Sequence, residues 1–355
     1  MIRTLALADR ASSLALWLIG IANILFLIGF LGTLAFVGSG AHAAAPACTG
    51  TDMLSALESS DPQKLAEIRA EAANAPNGQG LLWKIETEGA PPSFLFGTMH
   101  MTDPRVVALT PDAQQAFDGS ATVVIETTDV LDQAAMMAEF MNNPELMMFT
   151  DQTTLVSLMS PADAEATEAA LDDRGIPLAS VMKMKPWVIS AMVSLPACEL
   201  ARKAEGAPVL DVRLAEQAKA AGKEIAGLET AKSQIEAMAS LPMSFHIEGL
   251  VETLKLGDRM DDVIETMIVI YQQGETGMFW PFFEAVLPSG EGDRSGYSAF
   301  EETMITTRNA GMAKTASSFI DRGGAFIAVG ALHLPGEAGL IELFRRAGYT
   351  VTRAG

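Results

Sequence analysis

Two stretches of the chain share one layout: residues 94–100 have the sequence FLFGTMH, and residues 326–333 have the sequence FIAVGALH. In each, a short apolar run ends in a glycine, and a histidine follows after two further residues. Short apolar runs bounded by turn residues predict buried β-strands. In an open α/β sheet, ligands bind beyond the carboxyl ends of the strands. We therefore expect His100 and His333 to lie together at one edge of a sheet.

The rest of the chain supplies a few more short strands, separated by helices. Pro91 and Pro92 divide two of these strands and predict a hairpin. Apolar positions at helical spacing fill most of the intervening sequence. The strand candidates are short and apolar or β-branched, and they lie at residues 81–86, 93–97, 122–126, 223–228, 325–330 and 349–352.

These elements predict the α/β class, with a small mixed sheet embedded in many helices. Residues 131–287 are mostly helical, and we interpret them as an insertion or cap. After the first 45 residues, no linker rich in Gly, Ser or Pro divides the chain. Residues 46–355 are therefore expected to form one domain.

Glu126 and Glu229 each close a strand candidate, so both are expected at the same sheet edge as the two histidines. Neutral imidazole and carboxylate groups together suit Zn, Mn or Fe. Such a metal polarises a carbonyl and lowers the pKa of a bound water, while a spare carboxylate acts as general base. A structural alternative stays open, because a glycine can serve a tight turn and a strand-end glutamate can cap the next helix.

Arg308 and Asn309 interrupt an otherwise apolar helix predicted over residues 297–322. One interpretation is a solvated helix end. The other is a pair of groups that orient a carboxylate or a substrate. In that case, either side chain could hold the oxyanion that develops during hydrolysis.

The chain is acidic, with 44 Asp and Glu residues against 24 Lys and Arg residues and a formal net charge of −20. An acidic chain repels phosphate backbones, so nucleic acid is not expected as a partner. The acidic residues are spread along the chain, which favours a role in solubility.

The amino terminus has the features of an export signal. Arg3 and Arg10 precede 24 uncharged residues at 14–37, and the run AHAAA at 41–45 has the small-residue pattern of a signal-peptidase site. The uncharged run exceeds the about 7–15 residues usual for a signal and reaches the length of about 20 that spans a bilayer. Residues 1–45 are therefore either a cleaved signal or a membrane anchor. Both place the remainder on the exported, periplasmic side.

Cys48 and Cys198 are the two cysteines of the chain, and each follows a Pro-Ala pair. An exported protein folds in an oxidising compartment, which favours a disulfide between them. Such a bond would join the start of the exported domain to its middle. Two buried, unpaired thiols are the alternative.

Six segments together resemble the TraB/GumN family, which is similar to the Tiki proteases and, more distantly, to the erythromycin-esterase and ChaN-like proteins. The resemblance runs from about residue 81 to the carboxyl terminus, and its first and last segments are the most specific. The segments are FLFGTMHMTDPRV (94–106), VVIETTDVLD (123–132), VLDVRLAEQA (209–218), IAGLETAKSQ (225–234), TTRNAGMA (306–313) and FIAVGALHLPGEAGLIELFRRAGYTV (326–351).

The resemblance implies an α/β core of the erythromycin-esterase and ChaN-like type, with the site at the histidine motifs and strand-end glutamates. Among the residues carried over, Asp211 and Arg308 are expected to contact the substrate. Arg308 and Asn309 are also expected to take part in catalysis. The full set is polar and consists of His100, Glu126, Asp211, Glu229, Arg308, Asn309 and His333.

These observations predict an exported, metal-dependent hydrolase that acts on a peptide or another small substrate. His100 and His333 would bind a divalent Mn, Co or Zn ion with Glu126 or Glu229, and the other glutamate would take the proton from the attacking water. Tiki-like members imply peptide hydrolysis, the esterase relatives imply ring-ester hydrolysis, and ChaN-like relatives imply iron or haem binding. The alternative is a protein that binds a metal, haem or a membrane-surface partner without turnover.

Overall fold

Six strands form one sheet within residues 47–286 and 295–355, which are the residues that the computed structural model describes. The strands are β1 (Leu82–Glu86), β2 (Ser93–Thr98), β3 (Thr122–Ile125), β4 (Glu224–Gly227), β5 (Ala325–Gly330) and β6 (Thr350–Arg353). They lie in the order β4-β3-β5-β2-β1-β6. The predicted fold class, a small mixed sheet within a helical body, is confirmed.

The sheet brings the carboxyl ends of four parallel strands to one edge. β1 pairs with β2 and with β6 in antiparallel fashion, which confirms the predicted hairpin. β2, β5, β3 and β4 are parallel neighbours in that order. Because parallel strands end at the same edge, the residues that follow these four strands are close in space.

Helices cover both faces of the sheet. Several begin where an N-cap side chain is followed by proline, as at Asp61, Thr110 and Ser160, because proline suits the first helical position. The described α-helices are α1 (Met53–Ser60), α2 (Pro62–Ala72), α3 (Pro104–Val107), α4 (Pro111–Gly119), α5 (Gln133–Asn142), α6 (Pro161–Asp172), α7 (Leu178–Val181), α8 (Pro186–Val193), α9 (Ala197–Ala204), α10 (Leu210–Ala220), α11 (Ala231–Ser240), α12 (Met243–Leu256), α13 (Arg259–Gln272), α14 (Phe279–Val286), α15 (Ser295–Glu301), α16 (Thr307–Arg322) and α17 (Leu340–Arg346).

The central strands β3 and β5 are buried on both faces, as their apolar sequences predict. In β5, Phe326 and Ala328 point to the larger core, to which α10, α13 and α14 contribute. Ile327 and Val329 point to the opposite face, where α16 and α17 pack. This two-sided burial fixes the strand register, because a shift by one residue would exchange the two faces.

A separate apolar cluster lies within the predicted cap. Most of its buried side chains come from α6, α8 and α12, among them Leu171, Ile189 and Leu250. β4 lies within this helical region of the sequence, but it pairs with β3 and is part of the sheet. The domain boundaries, including the cap at residues 131–287, stay predictions.

The structure differs from the sequence-based expectation at two helices. Leu54, Leu57, Leu65 and Ile68 have helical spacing, which predicts a single helix over residues 51–75. The structure divides this stretch into α1 and α2, because the Asp61 side chain accepts from the backbone N–H of Lys64 and caps α2. The break expected near Arg308 is a π-helical segment, Glu302–Thr306, which lies between α15 and α16.

Cys48 and Cys198 form a disulfide, with Cα atoms 5.3 Å apart, and the predicted pairing is confirmed. The segment that follows Cys48 is also bound to α13. The backbone N–H of Thr51 donates to Asp262 Oδ1 at 2.7 Å, and that of Met53 donates to Thr266 Oγ1 at 2.9 Å. The start of the described chain is therefore held by both α9 and α13.

The predicted export segment, including the uncharged run at 14–37, lies outside the described residues. Along the part of the chain that is described, no helix combines the length and the apolar character needed to cross a membrane. The choice between a cleaved signal and an anchor stays a prediction.

Candidate active site

Four side chains of interest follow the carboxyl ends of the four parallel strands. Glu126 comes directly after β3, and His100 comes two residues after β2. Glu229 comes two residues after β4, and His333 closes the 3₁₀ turn that follows β5. The sheet therefore brings these residues to one edge, as expected from the sequence.

The His100 ring is held by a carboxylate behind it. Its Nδ1 lies 2.8 Å from Asp211 Oδ2, while Thr98 Oγ1 donates to Asp211 Oδ1 at 2.6 Å. Asp211 comes from the first turn of α10 and is buried. An ionised carboxylate only accepts, so Nδ1 carries a proton and Nε2 is left for other partners. The negative charge of Asp211 raises the pKa of His100 to about 9. Near pH 7 the free ring therefore also carries a proton on Nε2, and a cation that binds there would have to displace this proton.

The His333 ring is held by an amide instead of a carboxylate. Its Nδ1 lies 2.7 Å from Asn309 Oδ1, and the Asn309 nitrogen donates to Ala338 O at 2.8 Å. Since the amide oxygen accepts, Nδ1 of His333 carries the proton. Burial lowers the pKa of His333 to about 4. The ring is therefore neutral near pH 7, and its Nε2 is unprotonated.

Gly330 leaves the space in which the groups of the site meet. A Cβ atom on this residue would lie 3.2 Å from Glu126 Oε1, 3.5 Å from His333 Cδ2 and 3.9 Å from His100 Nε2. The backbone of Gly330 has φ −52° and ψ 135°, a conformation open to other residues. The glycine therefore matters for the room that it leaves and not for its backbone angles.

Glu126 shares this space with the two histidines. Its Oε1 accepts from the backbone N–H of Gly330 at 2.7 Å and lies 3.8 Å from His333 Nε2. Burial opposes ionisation of this carboxyl group. In the acid range, where His333 is also charged, the two histidines and Arg308 outweigh burial and lower the pKa of Glu126 to about 2. Glu126 is therefore ionised at neutral pH.

Arg308 binds both strand-end glutamates. Its Nη2 donates to Glu126 Oε2 at 2.7 Å and also to Glu229 Oε1, to which Nε donates at 3.1 Å. Its Nη1 donates to Met304 O, in the π-helical segment, at 3.1 Å. Burial alone would lower the pKa of Arg308, but the two glutamates outweigh it and raise the pKa. The irregular turn thus anchors the arginine, as π-helical turns at functional sites often do.

Gln234 belongs to the cluster but is not among the residues predicted for it. Its Nε2 donates to Glu126 Oε2 and to Glu229 Oε1, both at 2.9 Å. It lies in the first turns of α11, after the N-cap residue Thr230. Gln234 ends one of the six segments that resemble the family, which is the signal that could have found it.

The two histidines differ in their access to solvent. The His100 side chain is 60% exposed, whereas the side chains of His333, Glu126 and Arg308 are 5%, 8% and 12% exposed. The site is therefore a buried polar cluster that is open on the side of His100. A substrate can approach from that side.

The donor set suits a divalent cation. Two imidazole Nε2 atoms and one ionised carboxylate share a space that a Cβ at Gly330 would fill, and each ring donates through Nδ1 to an oxygen acceptor. This second-sphere pattern is usual for metal-binding histidines. Among the described residues, no group of three or more His, Cys, Asp or Glu side chains is placed to hold a metal ion. The fit therefore lies in the donor types and their orientation.

All the residues predicted for the site lie in this one cluster, while their catalytic and binding roles stay predictions. The remaining described histidine, His246, is buried elsewhere, in α12. The residues brought together are His100, Glu126, Asp211, Glu229, Arg308, Asn309 and His333.

A profile of the TraB/PrgY/gumN family matches residues 81–353, a range that contains the whole cluster. The human (Homo sapiens) protein named Metalloprotease TIKI1 is 26% identical over 314 residues, which cover 77% of this chain and 61% of the human protein. The zebrafish (Danio rerio) protein of the same name is 27% identical, with 76% and 62% covered. Zebrafish Metalloprotease TIKI2 is 26% identical, with 76% and 60% covered. The chain thus matches about three fifths of the length of these relatives. No solved structure gives a significant match.

Proposed function

The chain belongs to the TraB/PrgY/gumN family, and from that premise we propose that it is an exported, metal-dependent hydrolase with peptidase activity. The relatives named metalloproteases favour this reaction class over other hydrolases. The cluster is open on the side of His100, which gives a peptide or another small substrate access to it.

The orientation of the two histidines is the observation that carries the proposal. In both rings, Nδ1 donates to a fixed oxygen, at 2.8 Å to Asp211 and at 2.7 Å to Asn309. Both Nε2 atoms are therefore left for a ligand near Gly330 and Glu126. A purely structural histidine needs no such shared space.

His100, His333 and Glu126 would hold the ion, which we expect to be Mn, Co or Zn. When bound, a divalent ion acts as a Lewis acid toward a carbonyl group and toward water. The protein supplies the orientation, because Asp211 and Asn309 keep the two rings from turning.

Glu229 is the carboxylate left for proton transfer. Its Oε1 is engaged by Arg308 and Gln234, while its Oε2 has only a longer contact, of 3.3 Å, with Arg308 Nε. Oε2 is therefore the oxygen best placed to take a proton from an attacking water. The Arg308 guanidinium lies beside it and would stabilise negative charge that develops on the substrate.

We propose that the hydrolase works outside the cytoplasm. The disulfide between Cys48 and Cys198 suits an oxidising compartment. The uncharged run at 14–37 would act as the signal or the anchor that directs the domain to the periplasmic side.

Metal binding is the first test. The purified full chain is stripped with a chelator and titrated with Mn²⁺, Co²⁺ or Zn²⁺, while thermal unfolding is followed. We expect a rise in the midpoint temperature that grows with ion concentration, since the ion binds the folded state. His100→Ala and His333→Ala should remove the shift, whereas His246→Gln, outside the cluster, should keep it. Equal shifts in all four proteins would refute the site.

Hydrolysis is the second test. A library of internally quenched peptides is incubated with the metal-loaded wild type and with Glu229→Gln. We expect the wild type to cleave some sequences and the variant to bind metal but to cleave at least about 100-fold more slowly, as expected for loss of a general base. Metal binding without cleavage of any peptide or ester, or a Soret band on addition of haem, would favour the non-catalytic alternative.

A further inference from the structure

The loop that carries His100 is held from behind by a buried carboxylate on another helix. Thr102 donates its backbone N–H to Glu199 Oε1 at 2.8 Å and its hydroxyl to Glu199 Oε2 at 2.7 Å. Glu199 lies in α9, and none of its side-chain surface is exposed. Both oxygens of a fully buried carboxylate are thus engaged by one residue, two positions after His100.

Arg202, one turn further along α9, links this carboxylate to the disulfide. Its Nη2 donates to Glu199 Oε2 at 2.9 Å, and its Nε donates to Thr102 Oγ1 at 3.0 Å. Its Nη1 lies 3.2 Å from Cys48 Sγ, and Cys198 directly precedes Glu199 in the chain. The disulfide therefore joins the start of the domain to the same turn of α9 that holds the loop.

His100 depends on this support more than His333 does. The His100 side chain is 60% exposed and the His333 side chain 5% exposed. Surrounding atoms therefore restrain His333 on most sides, whereas His100 relies on its bond to Asp211 and on its backbone. A displacement of about 1 Å in a catalytic group can cost a factor of about 100 in rate.

We propose that Glu199 is a positioning residue for His100, and that the disulfide between Cys48 and Cys198 keeps it against the loop. The inference rests on the proposed function only in taking His100 as a metal ligand. Glu199 lies behind the loop and contacts Thr102 and Arg202, so it acts on the site through the backbone.

The first measurement needs no metal. Hydrogen exchange of the Thr102 amide is compared in the full-length wild type, Glu199→Gln and Thr102→Val, with Thr102→Ser as the variant that keeps the hydroxyl. We expect the Thr102 amide to exchange at least about 10-fold faster in Glu199→Gln and in Thr102→Val than in the wild type. In Thr102→Ser the exchange rate should be close to wild type, because only the serine retains the bonds of the hydroxyl to Glu199 and Arg202. If Glu199→Gln does not fold, the comparison of Thr102→Val with Thr102→Ser still tests whether the bonds to Glu199 hold the loop.

Glu342→Gln is the matched control. Glu342 also pairs with an arginine three residues later, Arg345, at 2.6 Å, and accepts from a distant side chain, Asn77, at 2.8 Å. Removing the carboxylate of Glu342 should leave the hydrogen-exchange rate of the Thr102 amide unchanged. Equal exchange at Thr102 in the wild type and in both Glu199→Gln and Thr102→Val would overturn the inference.

The second measurement is the Kd for Mn²⁺ or Zn²⁺. We expect a rise of about 10-fold in Glu199→Gln, the lower end of the loss usual when a direct partner of a metal ligand is removed, because Glu199 acts through the backbone. Cys48→Ser/Cys198→Ser should give a smaller rise, and Glu342→Gln none. A Kd within twofold of wild type in Glu199→Gln, together with lost binding in His100→Ala, would also overturn the inference. If the wild type binds no metal, the proposed function fails, and the exchange experiment alone decides the role of Glu199.

Discussion

Gly330 lies where Glu126 and the two histidines meet, and an alanine there would place a methyl group among them. Its backbone angles suit alanine, so we expect Gly330→Ala to fold with a free energy of unfolding within about 1 kcal/mol of wild type. The same variant should lose metal binding, because the Cβ takes the space of the ligand. Urea unfolding and metal titration measure the two effects separately.

Gly249→Ala is the control for this prediction. Gly249 lies inside α12, where an added Cβ meets nothing within 4 Å. Alanine should stabilise the helix by about 0.5–1 kcal/mol and leave metal binding unchanged. A Gly330→Ala protein that binds metal as tightly as Gly249→Ala would show that the space beside Gly330 is not the ligand site.

Arg308 is the positive charge that balances two buried carboxylates. Side-chain exposure is 12% for Arg308, 8% for Glu126 and 13% for Glu229. Arg308→Ala would leave both buried carboxylates without the positive charge of the arginine, so we expect the free energy of unfolding of the metal-free protein to fall by about 3–5 kcal/mol. Arg308→Lys should restore only part of this loss, because lysine lacks the planar fork that reaches both glutamates.

Urea unfolding checks the Arg308 prediction, and a double variant shows the cause. Adding Glu229→Gln to Arg308→Ala removes one of the two unpaired charges and should recover part of the lost stability. A double variant less stable than Arg308→Ala alone would mean that charge balance is not the role of the arginine.

At the scale of elements, His246 joins two helices of the cap region. Its Nε2 donates to Met238 O, at the end of α11, at 3.0 Å. Burial lowers the pKa of His246 below its usual 6.5. The unfolded state therefore binds more protons just below pH 6.5, and folding becomes less favourable as the pH falls through that value because it buries a charged ring. Stability should be retained above pH 6.5 and lost below it.

His246→Gln tests this pH dependence, because a glutamine amide can still donate to Met238 O but does not titrate. The wild type should lose stability between pH 6.5 and pH 5 more steeply than the variant, by at most about 1.4 kcal/mol per pH unit. Urea unfolding at several pH values gives both slopes. Parallel slopes would show that His246 does not titrate in this range.

The elements themselves are the part of the molecule that local sequence predicts well. Apolar runs that end in glycine gave the strands β2 and β5, and helical spacing gave most helices, because both signals are local. The Asp61 cap was not predicted, and the π-helical segment before Arg308 was predicted only as an interruption of a helix. Caps and irregular turns depend on geometry that apolar spacing does not encode. Gln234 was missed because its bonds depend on how α11 packs against the strand ends.

At the scale of the whole molecule, the strand order required the structure. β2 and β5 are adjacent although most of the chain separates them, and β4 joins the sheet from within the helical region. The sequence predicted that strand ends share an edge, and this was enough to group the two histidines with the two glutamates. It did not predict that Arg308 would bind both glutamates, which follows from the packing of α16.

The disulfide is the longest-range covalent constraint in the described chain, since its cysteines are 150 positions apart in the sequence. Closing so long a loop restricts the unfolded chain, so we expect Cys48→Ser/Cys198→Ser to lower the free energy of unfolding by about 2–5 kcal/mol. Urea unfolding with and without a thiol reductant measures this loss. The reductant should change the wild type and leave the double variant unchanged. A wild type insensitive to reductant would contradict the prediction.

Because β2 pairs with β5 across most of the chain, the two histidines meet only once the last strands have joined the sheet. Until then His100 has no partner histidine, and the proposed binding site does not exist. If the proposed site binds an ion, it would capture that ion only in the compartment where the sheet is completed. For a chain that crosses a membrane before it folds, the metal supply of the destination, and not that of the cytoplasm, would decide which ion the protein carries.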